Sequence, residues 1–375
     1  MTGENTQFGQ LGVICMRGCE SLGERIDAYL RQWDIERGGH GESVLVKSEC
    51  PRFATGEAKG MLGQSVRGYD LYILCDMFNY GETYRMYGRE NAMSPDDHFA
   101  DLKRIIAAAN GKARRLTVIM PMQYEGRQHR RLSRESLDCA VSLQELQKMG
   151  VTNIITFDAH DPRVQNAVPL IGFENVQPYY QMIRALVREV PDIRIDKDHL
   201  MIVSPDEGGM PRSVYYATVM ELDLGMFYKR RDYTRVVNGR NPIASHDFVG
   251  ARLDGKDVIV VDDMISSGES ILSVGSQLKK RGARRIYVFA CFGLFCEGLD
   301  KYDAAHKEGL IEKVFTTNLI YQPEALRQKP WYESVDMTKY ISYIMSSLHY
   351  DQSLGELLNP LGRIKKVLAE ARERA

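Results

Sequence analysis

Short apolar runs and stretches of helical spacing alternate along most of the chain. The apolar runs predict strands, and apolar positions that recur every three or four residues between them predict helices. Strands that alternate with helices indicate βαβ units, and hence a parallel sheet with helices on both faces. The predicted strands span residues 11–15, 70–75, 116–120, 153–157, 200–203, 223–228, 258–261 and 285–289. The pattern therefore predicts an α/β fold.

Between and after these strands, the pattern predicts helices and two long loops. The clearest helices span residues 20–33, 136–149, 271–281 and 361–371. Residues 78–95 are polar and aromatic without a clear period, which predicts a long surface loop. Residues 229–247 are basic and contain Gly239 and Pro242, so we expect a mobile loop beside the functional site.

Polar clusters follow several predicted strands, and the cluster after residues 258–261 is the most informative. Asp262 and Asp263 come directly after the apolar run, and Ser266 to Ser270 form a Ser/Gly-rich loop before a helix. Backbone N–H groups at a helix N-terminus bind phosphate, and carboxylates can hold sugar hydroxyls or Mg²⁺. An ordinary capped turn is the alternative, because Asp and Ser are common N-caps. Two consecutive acids favour a phosphorylated-sugar site at the sheet edge where ligands bind.

The composition limits the partners and the compartment. The 375 residues suffice for two domains, and a net charge of −1 gives no general attraction to nucleic acid or anionic membranes. No apolar run reaches the roughly 20 residues that span a bilayer, and the polar N-terminus lacks the features of a signal peptide. Cys15 and Cys19 have no matching second pair, which argues against a zinc site. We therefore expect a cytoplasmic protein with reduced thiols and with no nucleic-acid or membrane partner.

Six segments resemble one family and occur in that family's order. Residues 258–270 resemble the motif that binds phosphoribosyl diphosphate (PRPP), which phosphoribosyltransferases share. The segments that resemble the ribose-phosphate diphosphokinase (PRPP synthetase) family more specifically are Arg52–Glu57, Arg127–Arg131, Asp158–His160, Ser204–Gly209 and Lys229–Arg231. The resemblance covers about residues 11–318. It implies two similar phosphoribosyltransferase-type domains, each a mainly parallel sheet flanked by helices, at residues 1–165 and 166–324, followed by a helical extension at 325–375.

The resemblance also implies an activity and a role for each matching residue. The family transfers the diphosphoryl group of ATP to the 1-hydroxyl of ribose 5-phosphate, which gives PRPP and AMP and requires Mg²⁺. Its ATP sites lie at the subunit interfaces of homo-oligomers. The implied catalytic residues are Lys229 and Arg231. The implied ligand-binding residues are Phe53, Glu57, Arg127, Gln128 and His160 for ATP, His160 and Asp206 for Mg²⁺, and Asp262, Asp263, Ser266, Ser267, Gly268, Glu269 and Ser270 for ribose 5-phosphate.

Without the resemblance, several of these residues have simpler interpretations. Phe53 would be a core residue, and Arg127 and Gln128 would belong to a solvated basic loop. Lys229 would be part of an exposed run of charge. His160 would be a structural histidine as often as a ligand.

Four positions depart from the family's pattern. In the phosphate loop, Ser266 replaces a carboxylate and Glu269 replaces a glycine, while Thr55 and His129 replace acids in the ATP segments. The charge of Glu269 would repel a phosphate, and its Cβ occupies a position where glycine can supply a positive φ. We therefore expect Glu269 to point away from the phosphate, to pair with a cation such as Arg230, or to weaken binding.

These departures leave three hypotheses for the function. The first is an active PRPP synthetase. The second is a non-catalytic regulatory homologue, for which the altered phosphate loop is the best argument. The third is a phosphoribosyltransferase, which shares the phosphate loop but has no need of the ATP segments around Arg127 and Lys229.

Overall fold

The computed structural model describes residues 8–231 and 243–374, which divide into two compact units. The first unit consists of residues 8–177 together with Asn318–Tyr321 and Asp336–Asn359. The second consists of Pro178–Thr317, Gln322–Val335 and residues 360–374. The sequence placed the boundary at residue 165. The structure places it after Gln177, because the strand at Gly172–Val176 pairs with the sheet of the first unit. The segment expected as an extension contributes to both units.

The first unit is a parallel sheet with helices packed against it. Its strands are β1 (Gln10–Cys15), β2 (Ser48–Glu49), β3 (Met61–Leu62), β4 (Tyr69–Leu74), β5 (Thr83–Met86), β6 (Arg89–Ala92), β7 (Arg115–Ile119), β8 (Asn153–Phe157) and β9 (Gly172–Val176). Its helices are α1 (Glu20–Glu36), α2 (Pro95–Ala109), α3 (Asp138–Lys148), a 3-10 helix (Pro162–Ala167), α9 (Thr338–His349) and α10 (Gly355–Leu358). Five strands form the main sheet in the order β1-β4-β7-β8-β9, all parallel.

The second unit contains a larger sheet. Its strands are β10 (Leu200–Ser204), β11 (Asp223–Arg231), β12 (Ile243–Val249), β13 (Asp257–Ile265), β14 (Ile286–Gly293), β15 (Lys313–Thr317) and β16 (Tyr332–Val335). Its helices are α4 (Tyr179–Glu189), α5 (Met210–Met220), α6 (Glu269–Lys280), α7 (Asp300–Lys307), α8 (Glu324–Arg327) and α11 (Leu361–Arg374). The strand order is β12-β11-β10-β13-β14-β15-β16, and every neighbouring pair is parallel except β11 and β12.

Strand β13 shows why this sheet needs helices on both faces. Ile259 and Val261 pack into one hydrophobic core, and Val258 and Val260 pack into another. Successive side chains of a strand point to opposite faces, so a continuous apolar run must be covered on both sides. The predicted α/β class, with two mainly parallel sheets flanked by helices, is thus confirmed.

Two segments predicted as loops contain strands. Within residues 78–95, β5 and β6 form an antiparallel hairpin that turns at Tyr87 and Gly88, with φ values of +49° and +76°. The hairpin could not be predicted from its turn residues, because two-residue hairpin turns favour Asn-Gly or Asp-Gly, whereas this turn has Tyr87 and Gly88. Within residues 229–247, β11 continues to Arg231 and β12 begins at Ile243, while residues 232–242 lie outside the described part of the chain. An edge strand such as β12 need not show the apolar alternation of a half-buried strand.

Two further sequence expectations concern membranes and cysteines. Within the described ranges, no helix is both long and apolar enough to cross a membrane. All seven cysteines lie in those ranges and are free thiols.

Candidate functional site

The phosphate loop, defined here as residues Ser266 to Ser270, joins strand β13 to helix α6. The sequence ended the strand at Val261, but β13 continues through both acidic residues to Ile265. The reason is the parallel pairing with β14, in which Asp262 lies opposite Ala290 and Met264 opposite Phe292. Asp262 and Asp263 are therefore held by a sheet ladder at the carboxyl end of the strand, rather than by a turn.

Gly268 supplies the backbone conformation that this loop requires. Its φ is +82°, in the left-handed region, and helix α6 begins at the next residue, Glu269. The expectation that Glu269 stands at the positive-φ position is therefore wrong, since the neighbouring glycine adopts it. The N–H groups at this end of α6 are those that helix geometry leaves without partners inside the helix. They are suited to cradle a phosphate.

The charge of Glu269 is directed toward a lysine. Its Oε1 lies 3.6 Å from Nζ of Lys301, which also contacts Oε2 of Glu297 at 2.5 Å. The sequence named Arg230 as a possible partner, but the side chain of Arg230 lies outside the described part of the structure. Lys301 is 32 residues further along the chain, so no local pattern could have indicated this pair.

The two carboxylates of β13 occupy different surroundings. The backbone N–H of Asp263 donates to Oδ1 of Asp262 at 2.9 Å, and Oδ2 of Asp263 lies 3.9 Å from Nη2 of Arg212. Burial, followed by the negative charges of Asp263 and Asp206, raises the pKa of Asp262 well above its usual value. A bound cation would relieve this repulsion. Arg212, a buried residue in the first turn of α5, is a site residue that sequence analysis missed.

Asp206 lies in the loop between β10 and α5. Its Oδ1 accepts from the N–H of Gly209 at 3.1 Å, and its carbonyl oxygen accepts from Oγ of Ser204 at 2.7 Å. A Cβ atom on Gly209 would lie 3.3 Å from the carbonyl oxygen of Val261, so this loop packs closely against β13. The structure thus brings Asp206 to the edge of the sheet that carries Asp262 and Asp263.

The two predicted catalytic residues lie near the end of β11. The backbones of Lys229 and Arg231 pair with His246 and Ile243 of β12. Because Ser204 at the end of β10 lies opposite Met226, Lys229 is beyond the carboxyl end of β10. The side chains of Lys229 and Arg231 lie outside the described part of the structure, so their roles stay predictions.

In the first unit, the loops after β7 and β8 meet. The ring centroids of His129 and His160 are 5.3 Å apart, and Nε2 of His129 lies 3.4 Å from Oδ2 of Asp161. Hydrogen bonds from Arg163 lower the pKa of Asp161 to about 2, and burial lowers the pKa of His129. His129 is therefore neutral near pH 7, beside an ionised Asp161. The sequence identified His129 only as a departure from the family's pattern.

Arg127 and Gln128 precede His129 in the same loop. Arg127 is exposed, whereas Gln128 donates from Nε2 to the carbonyl oxygen of Ser136 at 2.8 Å. The neighbouring strands β7 and β8 are parallel and in register, with Ile119 opposite Ile155. Their following loops therefore leave the same edge of the sheet, and the predicted ATP residues Arg127, Gln128 and His160 belong to one cluster.

Phe53 and Glu57 belong to a second loop of the first unit. The N–H of Phe53 donates to the carbonyl oxygen of Glu57 at 2.7 Å, which closes a tight turn. The side chain of Phe53 is 55% exposed, so the interpretation of this residue as core is wrong. The hairpin turn is tied to the same loop, because the N–H of Tyr87 donates to the carbonyl oxygen of Ala54 at 2.8 Å. An exposed aromatic ring on a rigid turn is available to stack on a base.

The carboxylates fit Mg²⁺ better than they fit a transition metal. Among residues 8–231 and 243–374, no three His, Cys, Asp or Glu side chains are arranged to enclose a metal ion. Mg²⁺ does not need such a cage, since it keeps several waters and binds through one or two carboxylates and the phosphates of its substrate. The repulsion that raises the pKa of Asp262 is what a hard cation would offset. Asp206, Asp262 and Asp263 are suitable ligands in the second unit.

Family models match both units. The model for the N-terminal domain of ribose phosphate pyrophosphokinase matches residues 11–150, and the phosphoribosyl transferase domain model matches residues 173–319. Together they cover more than half of the chain.

Several known proteins are similar over most of their length. A ribose-phosphate pyrophosphokinase of Mycoplasma genitalium is 27% identical over 313 residues, which are 82% of this chain and 85% of the relative. A ribose-phosphate pyrophosphokinase of Maricaulis maris is 25% identical over 322 residues, which are 85% of this chain and 94% of the relative.

A solved structure shares the fold. The crystal structure of phosphoribosylpyrophosphate synthetase from Mycobacterium smegmatis superposes with a TM-score of 0.73 at 19% identity, covering 91% of this chain and 99% of that chain. The order of the two matched domains and the similarity to full-length relatives agree with this shared fold. The chain therefore belongs to the ribose-phosphate pyrophosphokinase family.

Proposed function

We propose that this protein transfers the β,γ-diphosphoryl group of ATP to the 1-hydroxyl of ribose 5-phosphate, with PRPP and AMP as products. The observation that carries the proposal is the arrangement at the end of β13. Two carboxylates held by the sheet are followed by a left-handed Gly268 and the N-terminus of α6. This arrangement offers oxygen ligands for ribose hydroxyls or a cation, and N–H donors for a phosphate.

In this proposal, the second unit binds ribose 5-phosphate, which accepts the diphosphoryl group. The N–H groups of Ser267 to Ser270 hold the 5-phosphate, and Asp262 and Asp263 orient the ribose hydroxyls. The ion pair between Glu269 and Lys301 keeps the loop's carboxylate away from those N–H groups. The family's phosphate-loop motif, as the resemblance implies it, has a carboxylate where this chain has Ser266, so Asp262 and Asp263 are the remaining carboxylates for orientation.

ATP is bound through the residues that match the family's ATP segments. Arg127, Gln128 and His160 contact the phosphates, and the exposed ring of Phe53 is offered to the base in the ATP site of a neighbouring subunit. His160 in the first unit and Asp206 in the second unit are each proposed as a Mg²⁺ ligand, as the resemblance implies. Mg²⁺, when bound, neutralises phosphate charge and orients the phosphates for attack. Lys229 and Arg231 stabilise the negative charge that shifts onto the phosphates in the transition state.

The proposal extends to assembly and compartment. Phe53 and Glu57 are expected to serve the ATP site of a neighbouring subunit, as in the family's homo-oligomers. The free thiols of all seven cysteines are consistent with the cytoplasm.

A coupled assay for AMP tests the proposal. Purified protein with ATP, ribose 5-phosphate and Mg²⁺ should form AMP, and omission of ribose 5-phosphate should abolish it. Lys229→Ala should abolish turnover and leave binding of a non-hydrolysable ATP analogue intact. Absence of AMP at high protein concentration would refute catalysis.

A second candidate is a non-catalytic regulatory homologue. The observation that favours it is the pair of departures in the phosphate loop, Ser266 and Glu269. Such a homologue would form no AMP by itself but would change the activity of an active synthetase when the two are mixed. The same assay, run with and without an active family member, separates the two candidates.

A further inference from the structure

Tyr302 presents a buried hydroxyl group without a hydrogen-bond partner. The residue is 1% exposed, and its hydroxyl oxygen forms no hydrogen bond with any residue of the described ranges 8–231 and 243–374. A buried hydroxyl loses its hydrogen bonds to water, so phenylalanine would be the more stable residue unless another state of the protein uses the hydroxyl. The position of Tyr302 indicates which state that is.

The hydroxyl of Tyr302 lies against the phosphate loop. A Cβ atom built on Gly268 would lie 2.7 Å from this oxygen and 2.6 Å from a carbon of the ring. The tyrosine therefore contacts the loop at the residue whose left-handed backbone turns the chain into helix α6. Any movement of the loop on binding a phosphate changes the surroundings of this hydroxyl.

The ring of Tyr302 is fixed in place. It stacks on Trp331 with 5.3 Å between ring centroids, and it meets Phe295 edge-on at 5.1 Å. Both neighbours are buried. The preceding residue, Lys301, pairs with Glu269, so helix α7 contacts the loop region through two consecutive residues. The hydroxyl cannot turn away from the loop to find another partner.

The charge nearby keeps this hydroxyl a donor. Burial, followed by the negative charge of Asp262, raises the pKa of Tyr302 above its usual value. The group is therefore protonated at neutral pH and has a proton to donate. The carboxylate of Asp262, whose negative charge acts on this hydroxyl, is an acceptor that the site offers.

We propose that Tyr302 is a positioning residue of the ribose-phosphate site, whose hydroxyl gains its hydrogen-bond acceptor when a sugar phosphate occupies the phosphate loop. The inference rests on the proposed function of that loop. It adds a residue from helix α7, which lies outside all six family-like segments. Tyr302 acts through the loop and makes no contact with the reacting atoms.

The test compares two variants that each remove one buried hydroxyl. Tyr302→Phe deletes the hydroxyl at the loop. Tyr287→Phe is the matched control, because Tyr287 is 0% exposed, lies in the same unit, and also has an unpartnered hydroxyl. Its neighbour is the guanidinium of Arg285, 5.6 Å from its ring. Calorimetric titration with ribose 5-phosphate, in the presence of Mg²⁺ and a non-hydrolysable ATP analogue, gives the Kd for each protein.

We expect Tyr302→Phe to raise the Kd for ribose 5-phosphate roughly two- to tenfold, the value of one hydrogen bond. Its Kd for the ATP analogue should not rise, and its melting temperature should not fall. Tyr287→Phe should leave both Kd values unchanged. A melting temperature that is unchanged or raised, together with weaker sugar binding, is a result that a merely structural tyrosine would not give.

Three outcomes would overturn the inference. They are an unchanged Kd for ribose 5-phosphate in Tyr302→Phe, an equal change in Tyr287→Phe, and a wild-type protein that does not bind ribose 5-phosphate. Failure of the proposed function is distinguishable, because it appears as sugar binding without AMP formation in the wild type. In that case the comparison of Kd values still decides the role of Tyr302.

Discussion

Glu269 and Lys301 form an ion pair beside the phosphate loop, with 3.6 Å between Oε1 and Nζ. Both side chains are exposed to solvent, at 71% for Glu269 and 47% for Lys301, so the pair contributes little to stability. Its effect is on the ligand, because the pair offsets a carboxylate that would otherwise repel a phosphate. The most conspicuous departure from the family's phosphate loop is therefore accompanied by a compensating cation.

Removal of that cation should weaken binding of ribose 5-phosphate. We expect Lys301→Ala to raise the KM for ribose 5-phosphate about two- to fivefold, since an exposed charge interaction is worth about 0.5–1 kcal/mol. The double variant with Glu269→Gln should return close to the wild-type value. Lys307→Ala, an exposed lysine on the same helix, is the control. A double variant no better than Lys301→Ala would contradict the compensation.

Gly268→Ala should lower the free energy of unfolding more than the same substitution at Gly298. Gly298 has a similar φ, +81° against +82°, but a Cβ at Gly298 meets no atom within 4 Å, whereas one at Gly268 collides with Tyr302. We expect Gly298→Ala to cost about 1 kcal/mol of unfolding free energy, the strain of a left-handed alanine.

Gly268→Ala should cost more and should also raise the KM for ribose 5-phosphate at least tenfold, because the loop must shift. Denaturant unfolding and steady-state kinetics of both variants measure these effects. Equal losses in the two variants would show that the contact with Tyr302 is unimportant.

A buried carboxylate ties helix α9 to the first sheet. Asp70 accepts from Arg115 Nη2 at 2.7 Å and lies 2.9 Å from Nδ1 of His349. His349→Ala should lower the free energy of unfolding by about 2 kcal/mol at pH 7. Ser346→Ala is the control. Ser346 also lies on α9, where its Oγ accepts a hydrogen bond from Arg37, and its loss should lower the free energy of unfolding by less.

The same contact makes a prediction about pH. Burial alone would raise the pKa of Asp70, but the hydrogen bonds and charges of His349 and Arg115 lower it. Its stabilisation is present above the ordinary pKa of aspartate, about 4, and is lost as the pH falls through the lower folded-state pKa. The stability difference between wild type and His349→Ala should therefore shrink as the pH falls below about 4. A constant difference would mean that His349 does not act through Asp70.

Tyr87 occupies an unfavourable backbone position in the hairpin turn. A tyrosine at a φ of +49° is strained, and its side chain is 76% exposed, so it gains little from burial. Tyr87→Asn should stabilise the protein by about 0.5–1 kcal/mol, because asparagine tolerates this conformation. Tyr84→Asn, which removes a ring that packs under Arg52, should destabilise it. Lower stability in Tyr87→Asn would mean that the tyrosine ring makes contacts that its exposure does not indicate.

The fold and most strand-end clusters followed from the sequence because they depend on local patterns. Alternating apolar runs and helical spacing predicted a parallel sheet flanked by helices, the family resemblance implied two such domains, and the pair of acids marked the carboxyl end of β13. The continuation of β13 to Ile265 did not follow, because it depends on pairing with β14, which a local pattern does not contain. The exposure of Phe53 was also missed, since an isolated aromatic residue is usually buried.

The supporting residues of the site could not be predicted for a related reason. Lys301 and Tyr302 are distant from the phosphate loop in sequence and contact it only in the folded chain. Arg212 follows the Ser204–Gly209 segment closely, but only the packing of α5 against β13 directs it to Asp263. Sequence patterns identify the residues at strand ends, whereas the residues that orient them depend on tertiary contacts.

The most direct test of the central claim follows a label in ATP. With ATP radiolabelled in its β-phosphate, the protein, Mg²⁺ and ribose 5-phosphate, the account predicts that the label appears in a sugar diphosphate while unlabelled AMP accumulates in equal amount. Label that remains in ADP would indicate transfer of the γ-phosphate alone. That result, or an absence of labelled sugar, would contradict diphosphoryl transfer by this protein.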